Sequence, residues 1–129
     1  MKAKFIYTGI HVSNLERAIS FYTKSLGMRL LFKTEIKETG GRVAWLTTKE
    51  TRQILELNWY PKRYKHGGKS GLDHLAFEVD DASGAYRRLA YKQKGAIRPF
   101  KEGRWLLAYI RDPDGNWIEL GSRTKRPKR

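Results

Sequence analysis

Two glutamates and one histidine are the side chains of this chain best suited to chemistry: Glu56, His74 and Glu119. Each glutamate lies between two apolar residues of a strand-like segment, so it projects from the face opposite to its neighbours. Taken singly, each fits an exposed position on a half-buried strand, and a lone histidine fits a hydrogen-bonded core residue. Together they form an oxygen-rich set suited to Ni, Co, Mn, Fe or Zn ions, and a carboxylate can also move a proton. The sequence thus offers a candidate metal site and a candidate proton-transfer site.

The composition narrows the classes of protein that remain. The 129 residues suffice for one compact domain, and the absence of cysteine excludes disulfides, thiolate metal sites and a cysteine nucleophile. No run approaches the roughly 20 apolar residues that a bilayer span needs, and the first residues lack a signal-peptide pattern, so we expect a cytoplasmic protein. Many Lys, Arg and Glu residues without cysteine are typical of a thermophile.

The charge of the chain is strongly positive, with 27 Lys and Arg against 13 Asp and Glu and a formal net charge of +14. Such a charge suits nucleic acid, an anionic metabolite or a heavily charged surface. Five of the seven residues in 123–129 are basic, which predicts a solvated tail, and the other cations are scattered. No motif for nucleic-acid binding is present. We therefore predict a small anionic metabolite as the partner, and neither nucleic acid nor a membrane.

Hydrophobic periodicity gives the first half, residues 1–59, the order of one strand, one helix and three strands. The pair Ser13-Asn14 is suited to begin the helix and Gly27 to end it. The predicted strands are Phe5–Val12, Met28–Ile36, Arg42–Thr48 and Gln53–Trp59. Pro61 and Gly67-Gly68 then mark residues 60–71 as a linker.

The second half, residues 72–121, repeats that order. Asp80-Asp81 is suited to begin its helix, which is predicted to run through Lys92 and to end at Gly95. The predicted strands are Leu72–Val79, Ala96–Lys101, Arg104–Arg111 and Trp117–Gly121, and residues 122–129 are the basic tail. The chain is therefore predicted to be one α+β domain, residues 1–129, made of two tandem βαβββ modules.

The repeat and its motifs resemble the vicinal oxygen chelate superfamily, and in particular its glyoxalase I branch. The first helix reads NLERAISFY over residues 14–22 and is followed by LGM over 26–28. The second half contains DHLAFEV over 73–79 and DPDGNWIEL over 112–120, and ILELN over 54–58 stands where the branch has its other ligand-bearing strand. The resemblance covers nearly the whole chain. It implies that the modules form half-barrel sheets that are closed by dimerisation.

The resemblance also implies four metal-ligand positions, which fall on Tyr7, Glu56, His74 and Glu119. Tyr7 departs from the family, which has His or Gln there, and a phenol must lose its proton to bind a metal ion. It either packs as an inward aromatic, hydrogen-bonds a ligand or binds the metal. We predict Glu56, His74 and Glu119 as the metal ligands, and Glu119 and Glu56 as the catalytic residues.

His11 and Tyr7 are the predicted substrate-binding residues. They face the same side of the first strand but lie about 13 Å apart, too far for one coordination shell. His11 stands where glyoxalase I often has an arginine that grips a substrate carboxylate, and an exposed histidine at the end of a strand is the alternative. Four further aromatics are expected in the core or at the dimer interface, with a pocket wall as the alternative that alternation along one strand does not decide: Trp45, Trp59, Trp105 and Tyr109.

The function that the resemblance implies is a homodimeric, metal-dependent lyase or isomerase of the glyoxalase I type. It would transfer a proton within a small α-oxo thiol adduct, such as a hemithioacetal of methylglyoxal, or act as a related epimerase. Tyr7 argues against the ring-opening dioxygenases, whose iron needs two histidines. The alternative is a non-catalytic binding protein that resembles the antibiotic-resistance members, which sequester a drug without needing a metal.

Overall fold

A computed structural model of the chain describes residues 2, 5–37, 39–62, 72, 74–90 and 93–124. It divides into two compact units, residues 1–71 and 72–129. Each unit has one strand, one helix and three strands in that order, which confirms the predicted α+β fold of two βαβββ modules. Most of the predicted linker (63–71) and the end of the predicted tail (125–129) lie outside the described residues. No helix in the described ranges combines the length and the apolar character needed to cross a membrane.

The first unit is a four-stranded sheet with one helix. Its sheet order is β1-β4-β3-β2, with β1 parallel to β4 and the other neighbours antiparallel. The elements are β1 (Thr8–His11), α1 (Leu15–Ser20), a π-helical turn (Phe21–Ser25), β2 (Arg29–Ile36), β3 (Gly41–Thr47) and β4 (Ile54–Trp59).

One face of this sheet is sealed by α1. The side-chain oxygen of Asn14 accepts the backbone N–H of Arg17, which caps the first turn of the helix. Beneath the helix, Ala44, Leu46 and Leu57 are completely buried. Because successive strand residues point to opposite faces, the neighbours of these core residues project from the uncovered face.

The second unit repeats the arrangement with the sheet order β5-β8-β7-β6, in which β5 runs parallel to β8. The elements are β5 (His74–Glu78), α2 (Ala82–Leu89), β6 (Ile97–Glu102), β7 (Trp105–Arg111) and β8 (Trp117–Arg123). Small residues of α2 pack on a fully buried layer of the sheet formed by Ala108, Ile110, Ile118 and Leu120.

The start of α2 is capped from the sheet. Asp81 is the N-cap residue, as predicted, but its side chain makes no capping hydrogen bond. Instead, the buried hydroxyl of Ser122 accepts the backbone N–H of Ala82 at 2.9 Å. Since Ser122 and Arg123 belong to β8, the strand continues two residues beyond the predicted end at Gly121.

Other boundaries also differ from the sequence-based expectation: α2 ends at Leu89 rather than Lys92, and β5 begins at His74 rather than Leu72. β1 begins at Thr8 rather than Phe5, because its ladder with β4 starts where Thr8 pairs with Leu55. The first helix is α-helical only to Ser20 and then widens into a π-helical turn. In that turn the hydroxyl of Thr23 donates to the carbonyl of Ile19, a bond that competes with the regular helix ladder.

One of the two edge strands of each sheet contains a register shift against its neighbour. In β2 the shift lies between Leu30 and Phe32, and in β6 it lies between Ile97 and Phe100. A bulge of this kind bends the strand and increases its twist. β6 also contains Pro99, which cannot donate a backbone N–H and is therefore confined to edge strands and bulges.

The turn between β7 and β8 is fixed by the carboxylate of Asp112, which is buried. One oxygen accepts the backbone N–H groups of Asp114 and Asn116, and the other accepts the side-chain amide of Asn116. The turn sets the register of the hairpin, in which Tyr109 pairs with Glu119. The order of this turn thus helps to determine which residues meet on the open face.

Asp112→Ala is expected to lower the free energy of unfolding by about 1.5–3 kcal/mol, because it removes a charged acceptor and leaves its donors unsatisfied. Thermal or urea unfolding measures this change. Glu50→Ala is the control, since Glu50 is exposed in the corresponding turn of the first unit and is expected to have little effect. Equal stability of the two variants would contradict the role given to Asp112.

Candidate functional site

Glu56 projects from the open face of the first unit and is held by a residue of the adjacent strand. Its Cα pairs with that of Trp45 on β3, and the Trp45 indole N–H donates to Glu56 Oε1 at 2.8 Å. On its other side, Glu56 pairs with Gly9 of β1. A Cβ atom at Gly9 would lie only 3.3 Å from Glu56 Oε2, so the missing side chain leaves room for the carboxylate.

Tyr7 and His11, the two predicted substrate-binding residues, occupy different surroundings. Tyr7 is half-buried, and its ring centroid lies 5.0 Å from that of Trp45, the residue that donates to Glu56. His11 is exposed at the end of β1, with its ring 5.7 Å from that of Tyr60. The structure therefore places Tyr7 beside the Glu56 pair and His11 with Tyr60.

Glu119 occupies the equivalent place in the second unit. Its Cα pairs with that of Tyr109 on β7, and the Tyr109 hydroxyl donates to Glu119 Oε1 at 2.5 Å. The same oxygen lies 3.9 Å from His74 Nε2 of β5. The side chain of Glu119 is 21% exposed and that of His74 is 35% exposed, so both groups are largely sheltered yet open to a ligand.

Aromatic rings pack around Tyr109, the residue that donates to this second carboxylate. The His74 and Trp117 rings both meet the Tyr109 ring edge to face, at centroid distances of 5.8 and 6.2 Å. The Arg111 guanidinium lies 3.6 Å above the Trp117 ring, a cation–π contact. Glu119 also lines an open groove of about 490 Å³ within this unit, together with Ala76, Phe77, Glu78, Glu102, Gly103, Trp105, Leu107 and Gly121.

The predicted ligands are therefore divided between the units. His74 and Glu119 come together in the second unit, whereas Glu56 belongs to the first. Within the described residues, no group of three His, Asp or Glu side chains is close enough to hold a metal ion by itself. Their roles as ligands stay predictions.

The donor set is nevertheless chemically suited to a divalent ion. The atoms His74 Nε2 and Glu119 Oε1 are 3.9 Å apart, a separation that two ligands of one ion can have when each bond is about 2.0–2.2 Å. Carboxylate and imidazole ligands fit Ni, Co, Mn, Fe or Zn. Each carboxylate is also hydrogen-bonded by a second protein group, as ligating carboxylates commonly are.

Trp45 and Tyr109 are the residues of the site that the sequence analysis missed, because it assigned both to the core or the dimer interface. The signal that identifies them is the hairpin register. Counting back from the connections at residues 49–52 and 112–116 pairs Trp45 with Glu56 and Tyr109 with Glu119. Alternation within one strand cannot supply this information, since it fixes the face of a residue but not its partner.

Comparison with known proteins gives consistent results. The sequence profile of the Glyoxalase/Bleomycin resistance protein/Dioxygenase superfamily matches residues 4–120. The lactoylglutathione lyase of Neisseria meningitidis is 35% identical over 124 residues, which cover 91% of this chain and 88% of that protein.

Two solved structures are similar over almost the whole chain. The trypanothione-dependent glyoxalase I of Leishmania major has a TM-score of 0.72 and 26% identity, covering 92% of this chain and 86% of that one. TnmS3, an antibiotic-binding protein from Streptomyces sp. CB03234, has a TM-score of 0.70 and 25% identity, covering 96% and 99%. One fold thus serves both a catalyst and a binding protein.

Gly9→Ala is expected to displace the side chain of Glu56 or Asn58 by a few tenths of an ångström, because the new Cβ would lie 3.3 Å from Glu56 Oε2 and 3.1 Å from Asn58 Nδ2. The Trp45 indole N–H resonance in ¹⁵N NMR spectra should shift in response. Thr8→Ala is the control, because Thr8 pairs with Leu55 and points to the other face. An unchanged Trp45 resonance in Gly9→Ala would contradict the close packing of Glu56 on β1.

Proposed function

Because the chain belongs to the glyoxalase/bleomycin resistance protein/dioxygenase superfamily, we propose that it is a metal-dependent lyase or isomerase of the glyoxalase I type. Its substrate class is a small α-oxo thiol adduct or a related metabolite with adjacent oxygens. The observation that carries the proposal is the repeated carboxylate site, in which Glu56 and Glu119 project from equivalent strands and each accepts an aromatic hydrogen bond.

The proposed ligands of the divalent metal are Glu56, His74 and Glu119. When bound, such an ion supplies Lewis-acid stabilisation of the negative charge that develops on the adjacent oxygens of the substrate. Since these residues belong to different units, the proposal includes the homodimer that the family resemblance implies, in which ligands are shared between chains. Exposed apolar residues of the outer strands, Leu30, Leu31, Phe32, Ile97 and Phe100, suit burial in such an assembly.

Glu119 is the proposed base. It would take the proton from one carbon of the substrate and return it to the neighbouring carbon, which requires a carboxylate sheltered from water but reachable by the ligand. Its partly exposed position between His74 and Tyr109 meets that requirement. Glu56 is the proposed counterpart of Glu119 on the opposite side of the substrate. The hydrogen bond from Trp45 fixes the orientation of its carboxylate.

Tyr7 and His11 are proposed to contact substrate rather than metal. Tyr7 packs against Trp45, so its phenol lies beside the hydrogen-bonded pair of Trp45 and Glu56. His11 is exposed beside Tyr60 and is suited to meet a more distant anionic part of the ligand. The net charge of +14 would favour the approach of a small anionic metabolite.

A second candidate function is sequestration of a small molecule without chemistry. Its support is the similarity to TnmS3, described as an antibiotic-binding protein. In that case the carboxylates would contact the bound molecule and no metal would be needed. The content of divalent metal separates the two candidates.

The purified protein is expected to contain about one divalent metal ion per chain, because two carboxylates and an imidazole form a complete ligand set for a site that keeps water positions open. Elemental analysis of protein expressed with each candidate metal measures the content. Chelation should abolish turnover of the hemithioacetal of methylglyoxal and glutathione, and it should lower the melting temperature because a bound ligand stabilises the native state. A metal-free protein that binds ligands would support sequestration instead.

Glu119→Gln is expected to reduce kcat by about 10²–10⁴-fold while changing substrate affinity less, because it removes the base but keeps the size of the side chain. Glu56→Gln should chiefly weaken metal retention. Tyr7→Phe should change kcat and metal retention less than either glutamate variant does, if the phenol only lies beside the site. Steady-state kinetics and metal content of the three variants measure these differences. Full turnover by Glu119→Gln would exclude Glu119 as the base.

A further inference from the structure

The two carboxylates of the site are each bonded by an aromatic donor from the neighbouring strand. In the first unit the donor is the indole N–H of Trp45, and in the second it is the hydroxyl of Tyr109. Both donors lie directly opposite their carboxylates in the antiparallel ladder. The same contact therefore occurs twice, in two units whose sequences differ at the donor position.

This repetition argues against a chance contact. Packing alone is satisfied by any ring at these positions, and a phenylalanine would fill most of the space of either residue. An indole or phenol adds a single N–H or O–H group to that ring. In both units this polar group reaches the carboxylate of the facing strand, at 2.8 and 2.5 Å.

We propose that Trp45 and Tyr109 are positioning residues that orient Glu56 and Glu119 as metal ligands; this inference rests on the proposed function. A glutamate carboxylate rotates easily about its terminal torsion, which has a broad energy profile. One hydrogen bond to a donor anchored in a β-ladder removes much of that freedom. The other lone pairs of an ionised carboxylate stay available to an ion, since it has about four acceptor sites.

The two donors differ in what they can do besides positioning. The indole of Trp45 can only donate a hydrogen bond, so Glu56 can only be its acceptor. The phenol of Tyr109 can both donate and accept. The second unit also has His74 beside the held oxygen of Glu119. The Glu119 side therefore combines ligation with the principal proton transfer, and on the Glu56 side Trp45 acts as a donor only.

The test uses the full-length protein, freed of metal by chelation and titrated calorimetrically with Co²⁺, whose visible spectrum also reports the ligand arrangement. Trp45→Phe and Tyr109→Phe keep the rings but remove the donors, and each is expected to weaken Co²⁺ binding about 10–100-fold, the usual effect of removing a group that orients a ligand. The controls are Trp59→Phe and Tyr86→Phe, whose side-chain N–H and hydroxyl make no hydrogen bond within the described residues. These should bind Co²⁺ as the wild type does.

A double-mutant cycle separates positioning from packing. If Tyr109 acts through Glu119, then Tyr109→Phe should have no further effect on Co²⁺ affinity when Glu119→Gln is already present. Melting temperatures of the metal-free variants should stay close to that of the wild type. Additive losses in the cycle, or a wild-type affinity in Trp45→Phe and Tyr109→Phe, would overturn the inference and leave the proposed function intact. A wild-type protein that binds no divalent metal would overturn both.

Discussion

The burial of one face of each sheet beneath its helix is the constraint on which the rest of the structure depends. Ala44, Leu46 and Leu57 in the first unit are completely buried, as are Ile118 and Leu120 in the second. Since side chains alternate along a strand, fixing these residues inward forces the glutamates between them outward. A shift of one residue in β4 or β8 would bury a carboxylate and expose a core leucine. The hydrophobic core thus selects the register that presents the acidic groups.

Patterns that repeat along a single segment were sufficient to predict the fold. The strand, helix and three strands of each unit appear in the sequence as alternating runs separated by glycine and acidic turns, and both modules are present in the structure. The presence of Glu56 and Glu119 on the open faces was predicted in the same way. Boundaries were less accurate: the pairing of β1 depends on a distant strand, and the end of β8 depends on the contact of Ser122 with α2.

Properties that depend on two strands at once were not predicted. Trp45 and Tyr109 donate to the carboxylates because hairpin register places them opposite, and alternation within one strand contains no register. Tyr7 illustrates a related difficulty. The repeat aligns it with His74, but only the structure shows that its ring packs on Trp45. The two halves thus kept the same backbone plan while their side chains diverged, which is why the resemblance identifies the fold better than the roles of individual residues.

The register shifts in β2 and β6 have a consequence for the behaviour of the protein at high concentration. These strands form an edge of their sheets, and β2 exposes Leu30, Leu31 and Phe32. A flat, apolar edge strand is a template on which other chains add strands and begin to aggregate. The bulges bend and twist both edges, and Pro99 removes a donor from one of them. The bent edges are therefore poor templates for the addition of further strands, even though they expose apolar side chains.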